Sequence, residues 1–562
     1  MTIKSLLKGW RLGLLLFGLA LFASVAFVIS RVDTASLVHV AARYVKEATG
    51  RELNIRGPVA LKFLPNLSLV AEDVTLSNAP WAEAPLMVQA DRVAFTLAWL
   101  PLLHERVAID QVEISGVTVN LQAAPAQQKE AGNWILEAEG DESSATAESG
   151  FEFDLKTVLI KNANLSWRDS TGVQTQALQV PKLTVQPTAQ TFQLNGSLFW
   201  YQQPLSVKGS VNIAESIPKV QMDLVSDRLD LQAVAKAQTA GSGTQATSKA
   251  PVGPYVFNTI PLPFDLLPML EAQLNLKLAT LVLPSGVQLN QLSTRVSLLP
   301  EQNGQMTVAP FSMNLGKGHV DLYAHITGYG SKAPMVEVKG HARDFTMGQI
   351  LAQLGKANEL DGGPTQAAFQ FKARGLSPRQ LVSTMNGQFQ ISVGAATISS
   401  SLMNKGGDFL VSLLNVINPL SKSAGVTQLQ CAVAYLPVQN GLVPIRQSVG
   451  METDRLNVSL NGQINLKSEM LDLKIYPKEK TGLTTGVNAA GLVQIKGTLL
   501  NPQLGVNKSG VINQAATVGL AVFTGGISLA AQNVASFATR SSPCQNVLRP
   551  WSSVDGQLNA AN

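Results

Sequence analysis

The sequence predicts a mainly β protein, with many short strands joined by turns, a few short helices, and one N-terminal transmembrane helix ahead of them. Three observations carry this expectation. Apolar residues alternate with period two from Asn54 almost to residue 500, glycine and proline number 45 and 28, and only 14% of residues are charged. A period of two sends alternate side chains to opposite faces of a strand, while glycine and proline punctuate turns. The 562-residue chain is 45% hydrophobic, which is ample material for burial and excludes disorder throughout.

The first element is the uncharged run from Leu12 to Ser30, LGLLLFGLALFASVAFVIS. It is close to the roughly twenty apolar residues that a helix needs to cross about 30 Å of hydrocarbon. Lys4, Lys8 and Arg11 precede it and no acidic residue occurs before Asp33. The positive-inside bias then holds the N-terminus in the cytoplasm and sends the body across the membrane. The competing reading is a cleaved secretory signal with Ser24-Val25-Ala26 at the cleavage site. However, the apolar run continues through Phe27, Val28 and Ile29, beyond the usual signal core of about 7 to 15 residues. Both readings export the body.

Residues 1–31 are thus read as anchor and 32–234 as a first β module. Asp33 or Thr34 caps a helix with Leu37, Val40, Ala41, Tyr44, Val45 and Ala48 on one face, and Gly50 stops it. Val93, Phe95, Leu97 and Trp99 alternate as a strand. VEISGVTVNL (Val112 to Leu121) overlays VLIKNANLSW (Val158 to Trp167) as a weak repeat, with Val112 on Val158, Ile114 on Ile160 and Gly116 on Asn162. An acidic linker occupies 123–150, and 235–258 reads as a flexible linker and domain boundary.

A second β domain follows over 259–508, with alternation at Leu274, Leu276, Leu278 and again at Leu471, Leu473, Ile475. Short helices are expected at Met347 to Leu354, after Ser377-Pro378, and at Asp408 to Asn418. The tail, 509–562, has no charge between Lys508 and Arg540. Its most apolar part, Ala515 to Ala531, is short for a second span and contains Gly525-Gly526. A helical segment that packs on the body or dips into lipid is expected, with a second transmembrane helix as the alternative.

Little in this chain points to catalysis. The formal charge is +5, and three of those charges are Lys4, Lys8 and Arg11, so the body lacks the clustered basic surface that nucleic acid requires. His319 and His325 are the one close histidine pair, six residues apart on one face of a strand, without the further ligands a zinc site wants. GYGSKA (Gly328 to Ala333) is followed by Pro334 and a strand-like segment, so it reads as a glycine turn and not a dinucleotide loop. No catalytic, cofactor or metal residues are assigned. Cys431 and Cys544 are the two cysteines. In an oxidising compartment they permit one disulfide, the alternative being two unrelated small residues.

Several landmarks together resemble the AsmA family of envelope proteins, which is related in architecture to TamB and other bridge-like proteins with a chorein-type N-terminus. They are the anchor and amphipathic helix, Ala48 to Trp81, the element Gly132-Asn133-Trp134, Leu262 to Leu283, Gly375 to Ser392 and Val493 to Val506. The resemblance implies an extended, curled antiparallel sheet with an apolar inner groove, held at the inner membrane by a single pass and facing the periplasm of a Gram-negative cell. It also implies phospholipid as partner and a role in outer-membrane biogenesis and envelope lipid homeostasis. The alternative is a scaffold or regulator acting on the outer-membrane assembly machinery through protein contacts. On this reading Val93, Phe95, Leu97, Leu274, Leu276, Leu278, Leu471, Leu473 and Ile475 are candidate groove-lining residues. One-sided strands also build ordinary sandwich cores, and the alternation is the same for both.

Overall fold

The computed structural model describes residues 49–62, 67–98, 108–125, 132–134, 154–170, 174–234, 255–264, 270–355, 360–399, 426–454, 456–480, 493–506 and 542–554, with isolated positions between 39 and 47 and at 172 and 267. The anchor, Trp99, residues 136–150 of the acidic linker, residues 235–254 of the flexible linker, the helix expected at Asp408 to Asn418 and the run Ala515 to Ala531 lie outside these residues. Among the described residues no helix is long and apolar enough to cross a membrane. The described positions between 39 and 49 are helical. Gly50 ends that helix, with a left-handed φ of 65° and its N–H donating to the Lys46 carbonyl.

The chain forms two compact units that divide between Gln202 and Gln203. The first contains β1 (Leu53–Ile55), β2 (Val59–Lys62), β3 (Ser68–Ser77), β4 (Leu86–Leu97), β5 (Ala108–Gln122), β6 (Asp154–Arg168), β7 (Gln174–Thr188) and β8 (Thr191–Trp200). β1 and β2 both pair with β3, at Leu53↔Leu76 and Val59↔Ala71, so they form one strand interrupted at Arg56-Gly57-Pro58. Each later strand pairs with the one before it, antiparallel except at one step.

That step corrects the expectation of a wholly antiparallel sheet. β5 and β6 run parallel, because the connection between them is long enough to carry the chain back to its starting end. The weak repeat is this ladder. Val112 pairs with Val158 and Ile114 with Ile160. Gly116 and Asn162, the turn-prone pair in the overlay, are both left-handed at φ 64° and 50°. Glycine is required at the first, since a Cβ there would lie 2.0 Å from Asp91 Oδ2.

The second unit contains β9 (Gln203–Asn212), β10 (Lys219–Asp230), β11 (Glu271–Val282), β12 (Gln288–Leu299), β13 (Gln305–Leu315), β14 (Gly318–Thr327) and β15 (Met335–Thr346). It continues with β16 (Leu360–Gly362), β17 (Pro364–Arg374), β18 (Asn386–Val393), β19 (Ala396–Ser399), β20 (Val426–Val438), β21 (Leu442–Thr453), β22 (Leu456–Asn465), β23 (Met470–Glu479), β24 (Val493–Thr498) and β25 (Pro502–Val506). Successive strands again pair in order, and β16 with β17, like β18 with β19, shares one position in the sheet. A second parallel step joins β10 to β11. It too departs from the antiparallel expectation, and its cause is again a long crossover. Asp230 caps a helical turn at 231–234 inside that connection, and its carboxyl is held below the usual range chiefly by the hydrogen bond from Ala233 N.

Left-handed residues Gln291, Asp344 and Gln447 sit where the registers of β12/β13, β15/β17 and β21/β22 slip. Such bulges bend strands and increase twist, which curls the sheet. Among the described residues no ladder leads from β25 to a second partner, so the sheet does not close there.

The helices are short. α1 (Met347–Gln353) is capped by Thr346, and α2 (Pro378–Thr384) begins with Pro378 behind the Ser377 hydroxyl, which accepts from Gln380 N at 3.3 Å. Ser377 is buried, so Ser377→Ala should lower stability by about 1 kcal/mol in urea unfolding. α3 (Pro543–Val547) and α4 (Trp551–Val554) lie near the C-terminus.

Candidate functional site

Register converts strand alternation into continuous rows. In the first unit Leu69, Phe95, Val112, Val158, Val185 and Leu194 face one another across β3 to β8. Beside them run Ala71, Val93, Ile114, Ile160, Leu183 and Gly196. Apart from Ala71 and Val112 these residues are half-buried.

The second unit repeats the device over more strands. Leu224, Leu276, Thr294, Phe311, Leu322, Gly340, Phe369, Phe389 and Leu436 form one row from β10 to β20. Met222, Leu274, Val296, Val308, Ala324, Val338, Phe371, Gly387 and Val438 form the next. Neither row contains a charge. Most of these side chains are half-buried, and Phe369 stacks on Phe371 at 5.8 Å. The opposite face is polar. There Glu337 pairs with Lys372 at 3.1 Å and with Lys339 at 3.7 Å.

The wall is bounded by packed regions. At the strand ends near Lys219 and Leu299, Phe264 and Leu262 pack with Ala272, Leu298, Ile326 and Tyr329. Burial there raises the Tyr329 phenol above its ordinary range. Toward the C-terminus the apolar face joins a buried cluster built by β16 and β19 to β24. The nine candidate lining residues are thereby sorted. Val93 and Phe95 in β4 and Leu274 and Leu276 in β11 are half-buried members of the rows. Leu278 is buried, Leu97 pairs with Ile109, and Leu471, Leu473 and Ile475 are 2, 1 and 0% exposed inside the cluster. Phe311, Phe369, Phe371 and Phe389 were not selected from sequence, although Phe369 and Phe371 alternate with Gln370 and Lys372 as plainly as the leucines do.

Other sequence landmarks are structural here. Asn133 is fully buried, accepting from Gln122 N at 2.9 Å and donating to the Asn120 carbonyl at 2.7 Å, while Trp134 stacks on Trp167 at 4.7 Å. The Gly132-Asn133-Trp134 element therefore locks the β5 end of the crossover. His319 bonds Asn314 and Asp321, whereas His325 bonds Thr307 and Thr327, so the two rings take separate partners. Cys431 and Cys544 form a disulfide, 113 residues apart in sequence. Glu452 lies beside it, accepting from Cys544 N at 3.1 Å and pairing with Lys480 at 3.5 Å. With both sulfurs bonded to each other, this cluster offers no thiolate to a metal.

What the rows offer is a water-excluding wall with a hydrated reverse side. The family model described as AsmA family matches residues 6–197 and 160–447 of this chain. The chain belongs to the AsmA family. A curated relative, AsmA family protein YhjG of Escherichia coli K12, is 24% identical over 236 residues, which is 41% of this chain and 32% of YhjG. The chain thus aligns with about a third of that relative's length. No solved structure matches.

Proposed function

We propose that this AsmA-family chain holds phospholipid by its acyl chains against the apolar rows and passes it along them, in service of outer-membrane biogenesis. The observation that carries the reading is the pair of uncharged rows from β10 to β20, half-covered by protein. Each methylene transferred from water to such a wall gains about 0.8 kcal/mol, so a single acyl chain is strongly retained. Without a charge on the wall, the headgroup remains in water, where its solvation is undisturbed. The chain acts as a carrier and not a catalyst. The uncharged run Leu12 to Ser30 behind Lys4, Lys8 and Arg11 supports a location at the inner membrane with the body in the periplasm, and the disulfide agrees with an oxidising compartment.

The test is solvent extraction and mass spectrometry of the purified full-length protein. Phospholipid is expected on the wild type, and about tenfold less on Leu276→Asp or Phe369→Asp with the thermal transition retained. A wild-type protein carrying no phospholipid would sink the reading.

A further inference from the structure

The ends of β21 to β25 gather exposed apolar side chains that the trough does not use. Leu442 begins β21, Met470 begins β23, and Leu500 stands in the turn between β24 and β25. They are neighbours: Leu442 and Met470 both pair with Asn465, and Leu499 N donates to the Glu469 carbonyl at 2.8 Å. The end of the segment expected as a flexible linker, residues 255–258, joins them. Glu469 accepts from Val256 N at 2.5 Å and Phe257 N at 2.9 Å, which places Tyr255 and Val256 beside the same turn. The five side chains are 37 to 50% exposed.

Charge in these turns is one-sided. The single carboxylate, Glu469, is fully buried and paired with Arg379 at 3.5 Å, so it presents nothing to solvent. Lys467 remains exposed, and the Arg379 guanidinium lies 3.7 Å from the Tyr255 ring. Apolar side chains on adjacent turn tips, an amphipathic tyrosine and an exposed cation combine the features of interfacial membrane anchors. A patch of this kind on a folded surface marks an interaction site.

We infer that this corner of the second unit docks onto an anionic lipid bilayer, inserting Leu442, Met470, Leu500 and Val256 into the headgroup layer while Lys467 meets lipid phosphate. The contact does not depend on lipid occupying the trough. It gives the body a membrane contact of its own, separate from the N-terminal run.

The test uses full-length protein held in phosphatidylcholine nanodiscs and mixed with dye-labelled liposomes, with co-flotation as the readout. Wild type should float with liposomes containing phosphatidylglycerol and much less with phosphatidylcholine alone. Met470→Glu with Leu500→Glu should weaken the apparent affinity about tenfold or more, because each buried side chain of this size accounts for at least that factor. Leu354→Glu, an equally exposed leucine at the opposite strand ends, should float as wild type. If the double variant does not fold, Val256→Glu in the segment held by Glu469 should give the same loss. Undiminished flotation of the patch variants, equal flotation with both liposomes, or equal losses at Leu354 would overturn the inference. So would patch variants that keep flotation but lose self-association, which would make the corner a protein interface.

Discussion

Cys431→Ser with Cys544→Ser is expected to lower the stability of the second unit by about 3–5 kcal/mol and to release residues 542–554 from the sheet. The bond ties the start of α3 to β20 across a separation of 113 residues, a loop long enough for its closure to restrict the unfolded chain strongly. Its release should propagate. The Gln390 side chain accepts from Arg549 N at 2.8 Å and donates to the Arg549 carbonyl at 3.0 Å, and Gln390 is fully buried. Gln388 donates to the Ser553 carbonyl at 2.6 Å, and Val554 is fully buried. Urea unfolding reads the first effect and hydrogen exchange over 542–554 the second. Unchanged exchange in the double serine variant would show that the polar clasp holds without the covalent bond.

Glu469→Ala is expected to cost about 3–5 kcal/mol, because breaking a buried ion pair leaves its partners uncompensated. The carboxylate receives the backbone N–H groups of Val256 and Phe257 as well as Arg379, and Arg379 also donates to the Lys467 carbonyl at 3.0 Å. Removing it orphans two main-chain donors and frees the segment that leads to Leu262 and Phe264. Denaturant unfolding should report the loss, and hydrogen exchange should rise first at residues 255–258. Glu469→Gln, which retains one acceptor oxygen, should fall between wild type and alanine. Equal stability of all three proteins would rule out the anchoring role.

Much of this fold is legible in the residues. Ser377-Pro378 marks α2 because a hydroxyl cap and a proline at the first turn are local chemistry. The overlay of Val112 to Leu121 on Val158 to Trp167 marks two strands that become neighbours residue for residue. Direction of pairing is another matter, since alternation reads the same along parallel and antiparallel ladders, and the parallel steps at β5/β6 and β10/β11 were not foreseen. The strap through Tyr255 and Phe264 also escaped, because it has no period and takes its place through Glu469, more than two hundred residues away.

The candidate site divides in the same way. Sequence by itself determined that strands present one apolar and one polar face, that Leu276 and Ile475 belong to the apolar one, and that the membership is AsmA-like. Only the tertiary structure decided that Leu276 stands half-buried in an uncharged row while Ile475 is sealed in a core, and that Cys431 meets Cys544. The physical reason is that alternation records which side of a strand avoids water. What lies opposite that side, open trough or packed neighbour, depends on the bulges, crossovers and long-range contacts that curl the sheet.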